Sequence, residues 1–170
     1  MPVELLVLRA VHILCGIFWV GGGIYSSVFA VPAITKAGPA AGPIIAELQR
    51  RKLFTILPLA ALLTMASGVR LLWIASGGFS GHYFHTMQGH TYAVAGAMSV
   101  IGFLVAMFVS RPASVRLGAL AAEVATADAD RRRALEATTA ALQTRATVGT
   151  ALAVGLLTVA ALGMSVARYL

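Results

Sequence analysis

His12-Ile-Leu-Cys15-Gly16-Ile-Phe-Trp19-Val-Gly21-Gly22-Gly23-Ile-Tyr25 is the stretch that decides the fold. It is apolar apart from one imidazole and lies inside a longer apolar run over residues 5–34. About 20 helical residues cross the ~30 Å hydrocarbon core of a bilayer, so this run is long enough to span it. His12, Cys15, Gly16, Trp19, Gly22, Gly23 and Ser26 recur at three- and four-residue spacing and share one helical face. An ionisable residue within a span is costly, and as a rule it faces the interior of a bundle and serves a function there. The small residues beside it leave room for a large flat group or for a close helix.

Working outward, three further apolar stretches over 53–75, 91–110 and 146–167 are each also long enough to span. Only 11% of the 170 residues are charged, against about 25% in an ordinary soluble domain. Four buried helices in a soluble bundle would leave too little polar surface to cover them. The expectation is an all-α polytopic membrane protein, a four-transmembrane-helix bundle forming one integral membrane domain over 1–170. No basic cluster precedes the first run, the run is too long for a leader, and no small-x-small site ends it, so it reads as a retained helix. Cys15 is the single cysteine, which excludes a disulfide framework. The net charge of +7 reads, in so apolar a chain, as topology signal and attraction to anionic lipid rather than to nucleic acid.

The positions of those charges set an expected orientation. Lys36, Arg50, Arg51 and Lys52 fall in the connection 35–52, and Arg111, Arg116, Arg131, Arg132, Arg133 and Arg145 in the connection 111–145. The connection 76–90 has no Lys or Arg. The positive-inside rule then puts the two basic connections in the cytoplasm and both termini outside, in a bacterial-type inner membrane. Gly38-Pro39 and Gly42-Pro43 are turn chemistry. From Ile44 a helix is expected to run straight into the second span, kinked at Pro58. A new helix is expected after Ser110-Arg111-Pro112, with a break at Asp128 and Asp130 before residues 131–145 lead into the fourth span. Helices thus extend beyond the membrane on the cytoplasmic side. No internal repeat of solenoid period is visible.

Under that topology His12, His82, His85 and His90 all fall at the outer membrane boundary. Neutral imidazole is the commonest metal ligand and holds haem iron. His12 and His90, on two helices lined by small residues, make a workable haem b cage, with His85 as a further candidate ligand. Arg9, Arg70 and Arg168 could meet outward-facing propionates. Arg70 lies inside the second span with no acid in spans two to four, so an exogenous anion is its expected partner, with snorkelling to the interface as the other reading. Trp19 and Gly22 on the His12 face, and Tyr92 beside His90, complete the candidate cofactor-binding set. Belt or packing aromatics and close helix packing are the alternative uses of those residues, and a hydrogen-bonded packing residue is the alternative use of His12.

The run His12-x6-Trp19-x-Gly21-Gly22-x-x-Tyr25 resembles the first helix of HemJ-type protoporphyrinogen oxidases and the CopD-like membrane proteins grouped with them. Arg51-Lys-Leu-Phe-Thr-Ile-Leu-Pro58 with Gly68 downstream is similar to the entry of their second helix, and Gly89-His90 to the opening of their third. Together these cover about half of the chain, discontinuously. The resemblance implies a haem-b-binding four-helix core with His12 and His90 at the family's histidine positions. In HemJ proteins a lysine follows the second histidine by two residues. Here that position is Tyr92, which points to looser membership, shared with uncharacterised four-helix bacterial membrane proteins.

Two functional classes follow. One is a haem b redox protein, a membrane oxidoreductase or electron carrier, exchanging electrons with a quinone, a porphyrinogen or a partner subunit. The other is a copper-handling or accessory subunit in which His82, His85 and His90, with Met87, bind metal. A homodimer suits the glycines of the fourth span, Gly149, Gly155 and Gly163. Phosphate-binding loops, Cys-x-x-Cys pairs, covalent haem signatures, His-Glu-x-x-His and serine-hydrolase elbows are all missing from the sequence.

Overall fold

A computed structural model describes residues 3–170, and the chain over them is all-α, with no strand among the described residues. Helix α1 (Val3–Tyr25) passes through a π-helical turn (Ser26–Ala30) into α2 (Val31–Lys36). A short 3₁₀ turn (Gly38–Ala40) leads to α3 (Ala41–Arg50), followed by α4 (Leu53–Ser76) and the brief α5 (Gly81–Phe84). Helix α6 (Met87–Val105) continues through a second π turn (Ala106–Ser110) into α7 (Arg111–Thr126), and α8 (Ala129–Val166) closes the chain. Four continuous helical stretches are long and apolar enough to cross a membrane: Val3–Lys36, Leu53–Ser76, Met87–Leu120 and Ala129–Tyr169. By length and composition this is a multi-pass membrane protein. Its large apolar side chains are widely exposed, Leu14, Ile17 and Phe18 among them, as helices facing lipid require.

The residues fall into two compact units, one of 1–100 with 157–170 and one of 101–156. In the first, α1 and α4 pack antiparallel. Gly22 sits on Leu57, Gly16 on Thr64, and His12 on Gly68, so the small-residue face of α1 admits a close helix. A side chain at Gly22 would lie 2.7 Å from Leu57 Cδ1. Further along this unit Gly163 of α8 lies against Ala95 of α6. In the second unit Gly149 of α8 meets Ser110 and Val109. Ser110 Oγ is buried there with no hydrogen-bond partner among the described residues.

Two expectations about the connections are corrected. The helix from Ile44 does not run into the second span. It ends at Arg50, and Lys52 adopts the left-handed conformation at φ 58° before α4 begins. In the last turn Glu47 accepts hydrogen bonds from both Arg50 and Arg51 at 2.8 Å. Those guanidiniums, Arg50 foremost, hold the Glu47 carboxyl below its ordinary 4.5. Pro58 is accommodated within α4, in its second turn.

The third span also does not stop at Pro112. Its helix continues because the π turn widens the ladder just before the proline: Arg111 N–H bonds Ala106 O, five residues back. Pro32 is met in the same way, with Val31 N–H bonding Ser26 O. A proline clashes with the carbonyl four residues earlier in a regular α-helix, and a π turn is one way to absorb that misfit. Around these turns the sequences match at Gly16 and Gly96, Val20 and Val100, Gly22 and Gly102, Pro32 and Pro112, and Ala33 and Ala113. The first and third spans thus place a π turn at the same distance before a proline. The break at Asp128 is as expected: its carboxylate accepts the Arg131 N–H at 2.8 Å and caps α8.

Candidate functional site

His12 is held by α4. Its Nδ1 lies 2.8 Å from Thr64 O and 3.3 Å from Ser67 Oγ. A carbonyl oxygen can only accept, so Nδ1 carries the proton and donates it. The Ser67 hydroxyl gives its own proton to the carbonyls of Leu63 and Thr64, at 2.6 and 3.1 Å, leaving its oxygen free to share the imidazole N–H. In the neutral ring the lone pair is then on Nε2. Gly68 makes this placement possible, since a Cβ there would lie 2.8 Å from His12 Cε1 and 3.2 Å from Nδ1. Thr64 and Ser67 are both buried, so the polar edge of the ring meets α4 away from the lipid.

Thr64, Ser67 and Gly68 are neighbours of His12 that the sequence alone does not assign to it. Their signal was present as two hydroxyls and a glycine within one turn of an apolar span. What the sequence lacks is the register of α1 against α4.

The remaining candidates are dispersed. Arg70 does not wait for an exogenous anion: its Nη2 and Nε contact Glu4 Oε1 at 2.7 and 2.8 Å. The pair links the N-terminal turn of α1 to the C-terminal half of α4 at about half exposure. Arg70 thus has a partner within the chain, where an exogenous anion was expected. Arg9 is exposed on α1, and Arg168 stacks over its neighbour Tyr169. Trp19 is buried on the His12 face, while Gly22 is taken up by the contact with Leu57. Tyr92 is half-buried on α6 and near enough to Tyr83 to act on it. Burial, and then Tyr92, push the Tyr83 phenol above its ordinary 10.0.

His82, His85 and His90 are all exposed. Thr86 caps α6 through its hydroxyl, which accepts the Gly89 N–H at 3.0 Å, and His90 follows in the first turns. A side chain at Gly89 would collide with the Tyr83 carbonyl, so this glycine serves the tight entry into α6. No hydrogen bond or ring contact joins His12 to the other three histidines among the described residues. Nor do three or more His, Cys, Asp or Glu side chains converge on a point that could hold a metal ion.

One apolar groove of about 270 Å³ opens between α1 and α4, lined by Leu14, Cys15, Phe18, Ile56, Leu59, Ala60 and Leu63. Compared with known protein families, curated proteins and solved structures, the chain matches none.

Proposed function

We propose that this chain is a haem-b-binding membrane protein with a redox role, in which His12 would hold the haem iron. The observation that carries the reading is the hydrogen bond from His12 Nδ1 to Thr64 O at 2.8 Å. Ligating histidines almost always donate the second ring N–H to a carbonyl or carboxylate, which fixes the tautomer and raises ligand basicity. His12 has that arrangement, and its unprotonated Nε2 is the atom a metal would take. His90 is the proposed second ligand. With Arg70 engaged by Glu4, Arg9 is the arginine of α1 available to an anionic propionate. Trp19 stiffens the face from which His12 projects.

A bound haem would supply one-electron exchange, with a quinone, a porphyrinogen or a partner subunit as the other party. The chain's own contribution is to orient the imidazole and exclude water from its Nδ1 edge. The positive-inside rule supports placing the basic connections in the cytoplasm and both termini on the outer side of a bacterial-type inner membrane. His12 then lies close to the outer face.

The test is a reduced-minus-oxidised visible spectrum of protein purified after expression with a haem precursor. Wild type should show a Soret band and a reducible α-band, with both lost in His12→Ala and weakened or shifted in His90→Ala. A featureless wild-type spectrum removes the haem reading. An unchanged spectrum in His12→Ala removes the ligand assignment.

A further inference from the structure

The Nδ1 edge of His12 meets two acceptors on α4, Thr64 O at 2.8 Å and Ser67 Oγ at 3.3 Å. A carbonyl oxygen has two lone pairs. One pair of Thr64 O serves the helix ladder, taking the N–H four residues on, and the other is left for the imidazole. The single proton of the Ser67 hydroxyl has two carbonyls in reach, Leu63 O at 2.6 Å and Thr64 O at 3.1 Å. Given to Leu63 O, the shorter contact, it leaves Thr64 O to His12 and turns an oxygen lone pair toward the ring. Ser67 is buried, so solvent does not disturb this division.

One acceptor alone would leave the ring free to pivot about its N–H···O line. Two acceptors, with Gly68 against the ring, define a plane. A Cβ on Gly68 would stand 2.8 Å from His12 Cε1 and 3.2 Å from Nδ1, but 3.9 Å from Nε2. The Nε2 edge therefore leans away from α4. Nε2 has no hydrogen-bond partner among the described residues, and its lone pair is available to a metal.

We propose that Ser67 is the positioning residue of His12, its hydroxyl holding the ring plane so that Nε2 is presented in one orientation. On the haem reading above, on which this rests for its ligand, Nε2 is the atom that takes the iron. Removing an outer hydrogen-bond partner of a ligating histidine costs about 10–100-fold in metal affinity. The Thr64 carbonyl persists in every side-chain variant, so the lower end, about ten-fold, applies to loss of the Ser67 hydroxyl.

Two measurements on the full-length protein in dodecylmaltoside micelles test this. One is a haem titration followed at the Soret band. The other is ¹³C relaxation at His12 Cε1 in haem-free protein, with that signal identified by its loss in His12→Ala. Ser67→Ala should bind haem about ten-fold more weakly, and its His12 ring should be more mobile than in wild type. Ser67→Thr, which restores the hydroxyl, should bring both back toward wild type. Ser99→Ala removes a span hydroxyl that bonds its own helix, at 3.1 Å from Ala95 O, and should change neither. Unchanged ring motion and haem affinity in Ser67→Ala would overturn the proposal and leave the haem reading standing. So would losses in Ser67→Thr as large as in Ser67→Ala, which assign the effect to packing. A looser ring in Ser67→Ala, with no haem bound even by wild type, would remove the haem reading and support the positioning of His12 by Ser67.

Discussion

Gly68→Ala tests the His12 seat most directly. The new Cβ would stand 2.8 Å from His12 Cε1, where carbon atoms in contact prefer about 3.5 Å or more. The ring must retreat by about 0.7 Å, which stretches a 2.8 Å hydrogen bond to about 3.5 Å, the end of its useful range. Losing that bond costs about 0.5–1.5 kcal/mol, and forcing a methyl into a tight helix contact adds about 1–3 kcal/mol. The expected destabilisation is about 2–4 kcal/mol on these figures. His12→Ala empties the same space, so in that background Gly68→Ala should cost less than about 0.5 kcal/mol, with the better helix propensity of alanine in its favour. Unfolding of the four proteins in mixed dodecylmaltoside and dodecyl sulfate micelles closes a double-mutant cycle with a coupling of about 2 kcal/mol or more. Equal costs in both backgrounds would refute the reasoning, because the penalty would then owe nothing to the imidazole.

Three further outcomes follow from the structure. Ser110→Ala should be neutral or stabilising by about 1 kcal/mol, since it removes a buried hydroxyl without a partner, whereas Gly149→Ala should destabilise because its Cβ would stand 2.7 Å from Ser110 Oγ; the same micelle unfolding assay distinguishes them. Glu4→Gln should lower stability by no more than about 1 kcal/mol, the usual worth of a half-exposed pair, and the exchange Glu4→Arg with Arg70→Glu should restore it. The depressed Glu47 carboxyl gives a contribution that is complete above the unfolded value near 4.5 and disappears as pH falls through the lower folded value. The Nε–H resonances of Arg50 and Arg51 should move to free-arginine positions over that acid range in wild type and stay still in Glu47→Gln.

The spans were legible because their chemistry is local. The second was expected over 53–75 and occurs as Leu53–Ser76, bracketed by Lys52 and the left-handed Gly77. The stripe from His12 to Gly22 was legible for the same reason, as periodicity alone puts these residues on one face. What that face meets was not legible. The sequence allowed a flat cofactor or a helix, and α4 takes the contact at Gly16, Gly22 and His12. Glu4 and Arg70 are separated by 66 residues, and no local rule connects them. The break at Lys52 was hidden because a non-glycine residue in the left-handed region has no sequence mark. The continuity through Pro112 was hidden because proline alone announces a stop, and only the wider turn before it removes the need for one.

A π turn is a helix holding one residue too many, so everything after it is rotated by about 100° relative to an unbroken ladder. In each of these two spans the rotation comes at the same distance before a proline. The faces on either side are therefore phased independently, like two gears keyed to one shaft at different angles. Within Ser26–Ala30 and Ala106–Ser110 the chain has slack of a single residue. These are the places where its length could change by one and leave a straight helix, at the cost of turning one end against the other.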